Sequence, residues 1–150
     1  MAHTFTNLLV HVIFSTKDRL PLINPEIKPR LLPYMGGIIR TLDGIALSIG
    51  GTADHVHLLT KQPATISMSD LMRTLKTNSS RWVHETWPSE SSFAWQTGYG
   101  AFSVSQSNAD AVREYIANQE AHHRTISFQE EFVRFLKRHG IEYDERYIWE

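Results

Sequence analysis

Two histidines separated by one residue, His55 and His57, stand in the stretch Asp54-His55-Val56-His57-Leu58-Leu59. Side chains of a strand alternate between faces, so an extended segment here projects both imidazoles from one side and Val56 and Leu58 from the other. Neutral imidazole is the commonest protein metal ligand and a strand fixes ligand spacing, so the pair suits a shared divalent ion. The same spacing also serves two strand histidines that only hydrogen-bond. An ion held by two imidazoles keeps several positions open, and a third protein ligand is expected. Gln119 is a candidate, because its amide oxygen is a hard, neutral acceptor suited to Mg²⁺ or Mn²⁺. One helical turn earlier, Tyr115 supplies a phenol about 6 Å away. A phenol of pKa ~10 is a poor nucleophile at neutral pH unless a metal or base activates the reaction. An ion that polarises and orients a phosphodiester would let the phenol oxygen attack phosphorus. Taken without the histidines, Tyr115 reads equally as an ordinary core or interface tyrosine.

The rest of the chain bounds this chemistry. At 150 residues and 41% hydrophobic content it fits one domain, 1–150, with a sizeable core. The absence of cysteine excludes disulfides, zinc ribbons and thiol catalysis, so any metal takes nitrogen and oxygen ligands. A net charge of -1 gives no global basic field, and contact with a phosphate backbone would need local patches. The start shows no basic segment followed by an apolar core, and no apolar run approaches membrane-spanning length. The expectation is a soluble, unprocessed, cytoplasmic protein.

The elements that must position these residues follow in order. Residues 4–16 read as a strand, with Leu8, Val10, Val12 and Phe14 on one face and Leu9, His11 and Ile13 on the other, the pattern of a central strand. A helix-period set from Ile27 to Leu42 follows an Asn24-Pro25 start signal, with Pro29 and Pro33 kinking or delaying its first half. A strand over 45–49 then meets the histidine strand across Gly50-Gly51-Thr52-Ala53, a hairpin-type spacer. Ser67-Met68-Ser69-Asp70 resembles a capping box and opens a helix whose stripe is Leu71, Met72, Leu75, Trp82 and Val83. Residues 93–106 suggest a last strand region interrupted by Thr97-Gly98-Tyr99-Gly100, where the glycines point to a bulge or a close backbone approach. Ser107-Asn108-Ala109-Asp110 opens a helix in which Val112, Tyr115, Ile116, Gln119 and His123 share the packing face. A final helix over about 128–139 has Phe132, Phe135 and Leu136 as its stripe.

Strand, helix, strand, strand, helix, strand is the split βαβ order of a ferredoxin-like α+β fold with an antiparallel sheet, here with extra C-terminal helices that carry the phenol. The histidine strand is then central. Val56 and Leu58 lie under the first two helices, and His55 and His57 face outward, available for a site or partner.

Three stretches, Gly50 to Leu59, then Trp95-Gln96-Thr97-Gly98-Tyr99-Gly100-Ala101-Phe102-Ser103-Val104-Ser105, then Tyr115-Ile116-Ala117-Asn118-Gln119-Glu120-Ala121-His122-His123, together resemble the single-tyrosine HUH transposases of small bacterial insertion sequences. The similarity runs from the first strand through His123. The resemblance implies that His55 and His57 are paired metal ligands, Gln119 the third ligand and Tyr115 the nucleophile. It further implies cleavage of single-stranded DNA beside hairpins at element ends, with a 5′-phosphotyrosine link and a free 3′-hydroxyl that later rejoins strands. The metal would be Mg²⁺ or Mn²⁺, and the assembly a homodimer in which the tyrosine helix can dock in trans, with Gly98 and Gly100 as hinges. The tyrosine transposases associated with repetitive palindromes share these motifs, so mobile and domesticated relatives are not separated by them.

For phosphate contacts the sequence offers Arg73, Lys76 and Arg81 on one helix face, with Lys17 and Arg19 nearby, against the alternative of a merely solvated face. His11 shares parity with the site face. His122 and His123 read as helix-end packing or hydrogen-bonding groups, and Trp82, Trp87 and Trp95 as core rather than base-stacking platforms. A histidine-triad hydrolase is disfavoured because Leu59 stands where the third histidine belongs, and a two-histidine phosphodiesterase because no second His-x-Thr pair exists. A non-catalytic nucleic-acid-binding module of the same fold is the rival of a different class.

Overall fold

The strand β1 (Leu9–Ser15) is buried on both faces, which forces it into the middle of a sheet. In the computed structural model, which describes residues 3–123 and 125–150, the order is β2 (Ile45–Gly51), β3 (His55–Lys61), β1, β4 (Gly100–Val104), every neighbour antiparallel. With α1 (Lys28–Thr41) between β1 and β2 and α2 (Met68–Thr86) between β3 and β4, this is the ferredoxin-like split βαβ order. Among the described residues no helix is long and apolar enough to cross a membrane. Met1 and Ala2, where the reading of an unprocessed start begins, lie outside the described residues.

Local chemistry accounts for the element ends. The Asn24 side chain accepts hydrogen bonds from the backbone N–H of Glu26 and Ile27, an Asx turn that leads into α1. Pro29 falls in the first helical turn, where its missing N–H costs nothing, and Pro33 lies inside the helix. The regular helix thus begins four residues after Asn24. Ser67 accepts from the Asp70 N–H at 3.1 Å and caps α2.

One sheet face packs under α1 and α2, where Val12, Phe14, Val56 and Leu58 meet Leu31, Met35, Ile39, Met72 and Leu75. This is the larger core. The other face carries Leu9, His11, Ile13, His55, His57 and Leu59, and it is not open, as the sequence suggested. Three helices cover it: α3 (Ala109–Ala117), α4 (Gln119–His122) and α5 (Phe128–Arg138). Ala109 and Ile116 of α3 pack on Leu9 and Leu59, and Phe128, Phe132 and Leu136 of α5 pack on Ile13 and Phe102. The apolar stripe of α5 needed a surface, and the sheet of the same chain supplies it.

Two glycines let these helices come close. A Cβ on Gly50, which pairs with His57 across the sheet, would lie 2.4 Å from the Ile116 carbonyl oxygen of α3. On Gly100 it would lie 2.8 Å from the Phe132 ring of α5. Gly100 sits in register with Ile13 inside β4, so close approach, and not a hinge, explains it. The helix expected from Ser107 through His123 is also divided. Asn108, and not Ser107, precedes α3, without a side-chain cap, and Asn118 departs from helical geometry (φ −99°, ψ 20°) before α4.

Candidate active site

His55 and His57 are fully buried, on the face that β3 turns toward the C-terminal helices. Strand register places Ile13 opposite His57 and Leu59 opposite His11, so His11 is the diagonal neighbour of His57 on that face. Their ring nitrogens, His11 Nε2 and His57 Nδ1, are 2.8 Å apart. His55 Nδ1 lies 2.7 Å from Asp54 Oδ1, and Thr52 donates its hydroxyl to the same carboxylate oxygen. Each histidine is thus oriented through Nδ1 and turns Nε2 into the space beneath α3, α4 and α5.

Ile116 seats α3 on the sheet, and its neighbour Tyr115 points along the sheet, its ring 5.8 Å from that of His57. Gln119, four residues on, is buried with its Oε1 3.1 Å from His55 Nε2. Its amide nitrogen donates to the Tyr115 carbonyl, at 3.4 Å. The structure therefore brings His55, His57, Tyr115 and Gln119 together within one chain, in cis.

A fifth group completes the cluster. Ser127 caps α5 by accepting from the Glu130 N–H, which puts Glu131 in the first helical turn, where an acidic group is favoured. Glu131 is almost wholly buried. Its Oε1 accepts from His57 Nε2 at 2.8 Å and from His123 Nε2 at 3.0 Å, and lies 3.7 Å from His55 Nε2. Its Oε2 accepts the hydroxyl of Tyr115, whose oxygen is also 3.1 Å from His122 Nε2.

Burial and charge set the protonation states. Desolvation lowers His57 to about 4 although Glu131 opposes the shift, and desolvation together with His57 lowers His11 to about 3. Both are neutral imidazoles at pH 7. Burial pushes the Glu131 carboxyl up, but hydrogen bonds from His123 and His57 outweigh it and hold the group well below the usual carboxylate range. Burial and the Glu131 carboxylate raise the Tyr115 phenol above its ordinary value. Burial lowers His123, yet its bond to Glu131 more than compensates and raises it overall.

The donor set fits a divalent cation. His55 Nε2 and Gln119 Oε1 face each other at 3.1 Å, and an imidazole that gives its Nδ1–H to Asp54 would leave both atoms with lone pairs for a common cation. A histidine ligand normally gives its other ring nitrogen to a carboxylate or similar partner, the arrangement His55 and Asp54 make. One ligand atom each from His55, His57, His123 and Glu131 lie within 4.8 Å of one another.

The family profile described as "Transposase IS200 like" matches residues 4–119. This chain belongs to the IS200-like transposase family. A transposase candidate from Deinococcus radiodurans R1, seen in a crystal structure, superposes with a TM-score of 0.63 at 22% identity, covering 79% of this chain and 95% of the other. A REP-associated tyrosine transposase, solved bound to a REP hairpin, superposes with a TM-score of 0.60 at 13% identity, covering 91% of this chain and 86% of the other. Both share the fold. No curated protein matches the sequence.

The basic candidates lie elsewhere. Arg73 pairs with Asp70 at 2.9 Å, Arg81 donates to Asn78, and Arg19 stacks over Trp149 at 5.4 Å. Lys17 is exposed at the turn after β1. Lys76 differs from these. Its ammonium donates to the carbonyls of Gln96, Thr97 and Gly98, and burial lowers it to about 8. Its geometry is that of a clamp on the chain before β4. Arg73, Lys76, Thr77 and Ser80 nevertheless line one concavity with Trp95 and Tyr99.

The sequence did not point to Glu131, and it marked His123 as a helix-end packing or hydrogen-bonding group without naming Glu131 as the partner it bonds. One signal was available: Glu131 stands at i+3 from Phe128 and directly before Phe132, a carboxylate on an otherwise aromatic stripe. Such a group is buried only when partnered.

Proposed function

We propose that this transposase-family protein is a metal-dependent single-stranded DNA nickase and strand transferase acting at hairpin-bearing element ends, with Tyr115 as its nucleophile. The observation that carries this reading is the placement of the Tyr115 hydroxyl on the same buried carboxylate that His57 contacts, with His55 and Gln119 beside it. His55, His57 and Gln119 would hold Mg²⁺ or Mn²⁺. When bound, the ion supplies Lewis-acid stabilisation of charge on the scissile phosphate.

The reaction balances without an external energy source. The Tyr115 phenol loses its proton to solvent, its oxygen bonds to phosphorus, and the bond from phosphorus to the 3′-oxygen breaks. The 3′-oxygen takes up a proton from solvent. A 5′-phosphotyrosine and a free 3′-hydroxyl result, and attack of a 3′-hydroxyl on the link restores a phosphodiester and the phenol. Tyr115 is held as a neutral phenol by Glu131, so the described conformation is a resting one.

The cavity at Tyr115, lined by His122, Glu131, Arg134, Phe135 and Arg138, is about 90 Å³, well below the roughly 300 Å³ of small ligand pockets. A nucleotide therefore gains access to Tyr115 only as the helices around this cavity, α3, α4 and α5, move apart. Arg73, Arg81, Lys17 and Arg19 are the proposed phosphate contacts outside the site, with Lys76 a weaker one because its donors are engaged. Hairpin DNA as substrate fits the solved relative bound to a REP hairpin. Homodimer assembly belongs to the same reading, each protomer holding a complete set of residues in cis.

The test is incubation with labelled single-stranded hairpin DNA and Mn²⁺. A protein–DNA adduct that survives denaturation, is absent with chelator and is lost in Tyr115→Phe supports the proposal. Binding to cognate hairpin with no adduct would favour a non-catalytic DNA-binding module.

A further inference from the structure

The proposed ligands His55, His57 and Gln119 all come from the segment that the family profile covers, residues 4–119. Glu131 lies beyond it, on α5. Two strand imidazoles and one amide oxygen are neutral donors, and they leave the full double charge of an ion in a wholly buried place. Ions of this kind are stable in protein interiors when anionic ligands accompany them. The only buried carboxylate among the described residues is Glu131.

Its geometry suits the task. Glu131 Oε1 is 2.8, 3.0 and 3.7 Å from Nε2 of His57, His123 and His55. Adjacent ligands at about 2.1 Å from a common six-coordinate ion stand roughly 3 Å apart. The second oxygen, Oε2, holds the Tyr115 hydroxyl and lies 3.4 Å from the Gln119 amide nitrogen. The carboxylate thus links the donor cluster to the phenol. Packing of Phe128 and Phe132 against the sheet face fixes the first turn of α5, so Glu131 is delivered by a seated helix and not by a loop.

We propose that Glu131 is a direct ligand of the divalent ion in the DNA-free protein, joining His55 and His57 and tying α5 to the metal centre. The inference rests on the metal site proposed above. A carboxylate beside imidazoles favours Mn²⁺ over Mg²⁺, which takes fewer nitrogen ligands and gives up water reluctantly. It also gives α5 a role in the reaction cycle. The ligand that bridges toward Tyr115 sits where a non-bridging oxygen of the scissile phosphate must arrive, so substrate binding exchanges one anionic oxygen for another and frees α5.

Mn²⁺ affinity of the full chain, without DNA, is measured by calorimetry and by the loss of the free Mn²⁺ electron-paramagnetic signal. Glu131→Gln keeps the shape and removes the charge; its binding weakens by at least about 10-fold. His57→Ala abolishes binding. In the wild-type protein, hydrogen exchange of residues 128–138 slows on Mn²⁺ addition, a readout that needs no variant. Equal Mn²⁺ affinity in Glu131→Gln and wild type, with His57→Ala inactive in binding, overturns the Glu131 assignment and leaves the histidine site standing. Mn²⁺ binding that ignores His57→Ala, or that is absent from the wild type, overturns both. Mn²⁺ that binds without slowing exchange in α5 also overturns the Glu131 assignment.

Discussion

Gly50→Ala tests whether the contact between sheet and α3 positions the phenol. The added Cβ would stand 2.4 Å from the Ile116 carbonyl oxygen, against an ordinary contact beginning at 3.4 Å, so the backbone must move by close to the difference. The obstacle is backbone on both sides, and no side-chain rotation relieves it. Overpacking of this kind costs about 1–3 kcal/mol, which for a chain of this length lowers Tm by roughly 2–12 °C. Ile116 is the residue after Tyr115, so the same displacement moves the phenol relative to His57. A misplacement on the order of 1 Å costs about 100-fold in the chemical step. Thermal unfolding and the initial rate of hairpin cleavage are measured on the same preparation. Gly37→Ala is the matched control, because a Cβ there meets nothing within 4 Å on an exposed position of α1. It should gain about 0.5–1 kcal/mol from helix propensity and cleave normally. A Gly50→Ala protein with unchanged Tm and full cleavage would refute the claim that α3 is seated through this gap.

Other consequences are open to measurement. In chelator, His11 and His57 stay neutral in the folded protein down to about 3 and about 4, whereas the unfolded chain protonates them near 6.5. The unfolded state therefore binds more protons below that pH, and stability falls as pH drops from 7 to 5.5; His11 and His57 together account for roughly 2.5 kcal/mol of fall, and His123, raised in the fold by its bond to Glu131, works in the opposite direction. Urea midpoints that do not fall over this range would contradict the burial of these imidazoles as neutral groups. Saturating Mn²⁺ at about 100 times its Kd should add about 2.7 kcal/mol, read as a rise in Tm that His57→Ala removes. Lys76→Met should lower stability by about 1–3 kcal/mol through three orphaned carbonyls while changing the salt dependence of DNA binding little. A variant that keeps its Tm but loses one unit of salt slope would make Lys76 a phosphate contact instead.

The fold was legible because its signals are local and strong. The two-sided apolar pattern of β1, the hairpin between β2 and β3 and the Ser67 cap each act within a few residues, and the alternation of strands and helices gives the sheet order; the spacer itself is shorter than its glycines suggest, because β2 runs on through Gly51 instead of ending at Ile49. The parity of His55 and His57 followed from the pleat alone. What covers their face was not legible, since the stripe of α5 shows that the helix needs a surface without showing which one. For the same reason Glu131 was hidden. Its partners lie 74, 8 and 16 residues away at His57, His123 and Tyr115, and only tertiary packing brings them together. The break at Asn118 also escaped, because Tyr115, Ile116 and Gln119 keep a helical spacing across it. Lys76 shows the same limit from the other side: on a polar helix face it reads as free, and the carbonyls that engage it belong to residues 20 to 22 positions further on.

Whether Tyr115 is the nucleophile is decided by finding which atom carries the DNA. Protein is incubated with single-stranded hairpin substrate and Mn²⁺, digested with protease and nuclease, and the nucleotide-bearing peptide sequenced by mass spectrometry. A phosphate ester on the Tyr115 oxygen is expected, formed in wild type and absent from His57→Ala. A nucleotide attached at any other residue, or strand cleavage that proceeds undiminished in Tyr115→Phe, would contradict it.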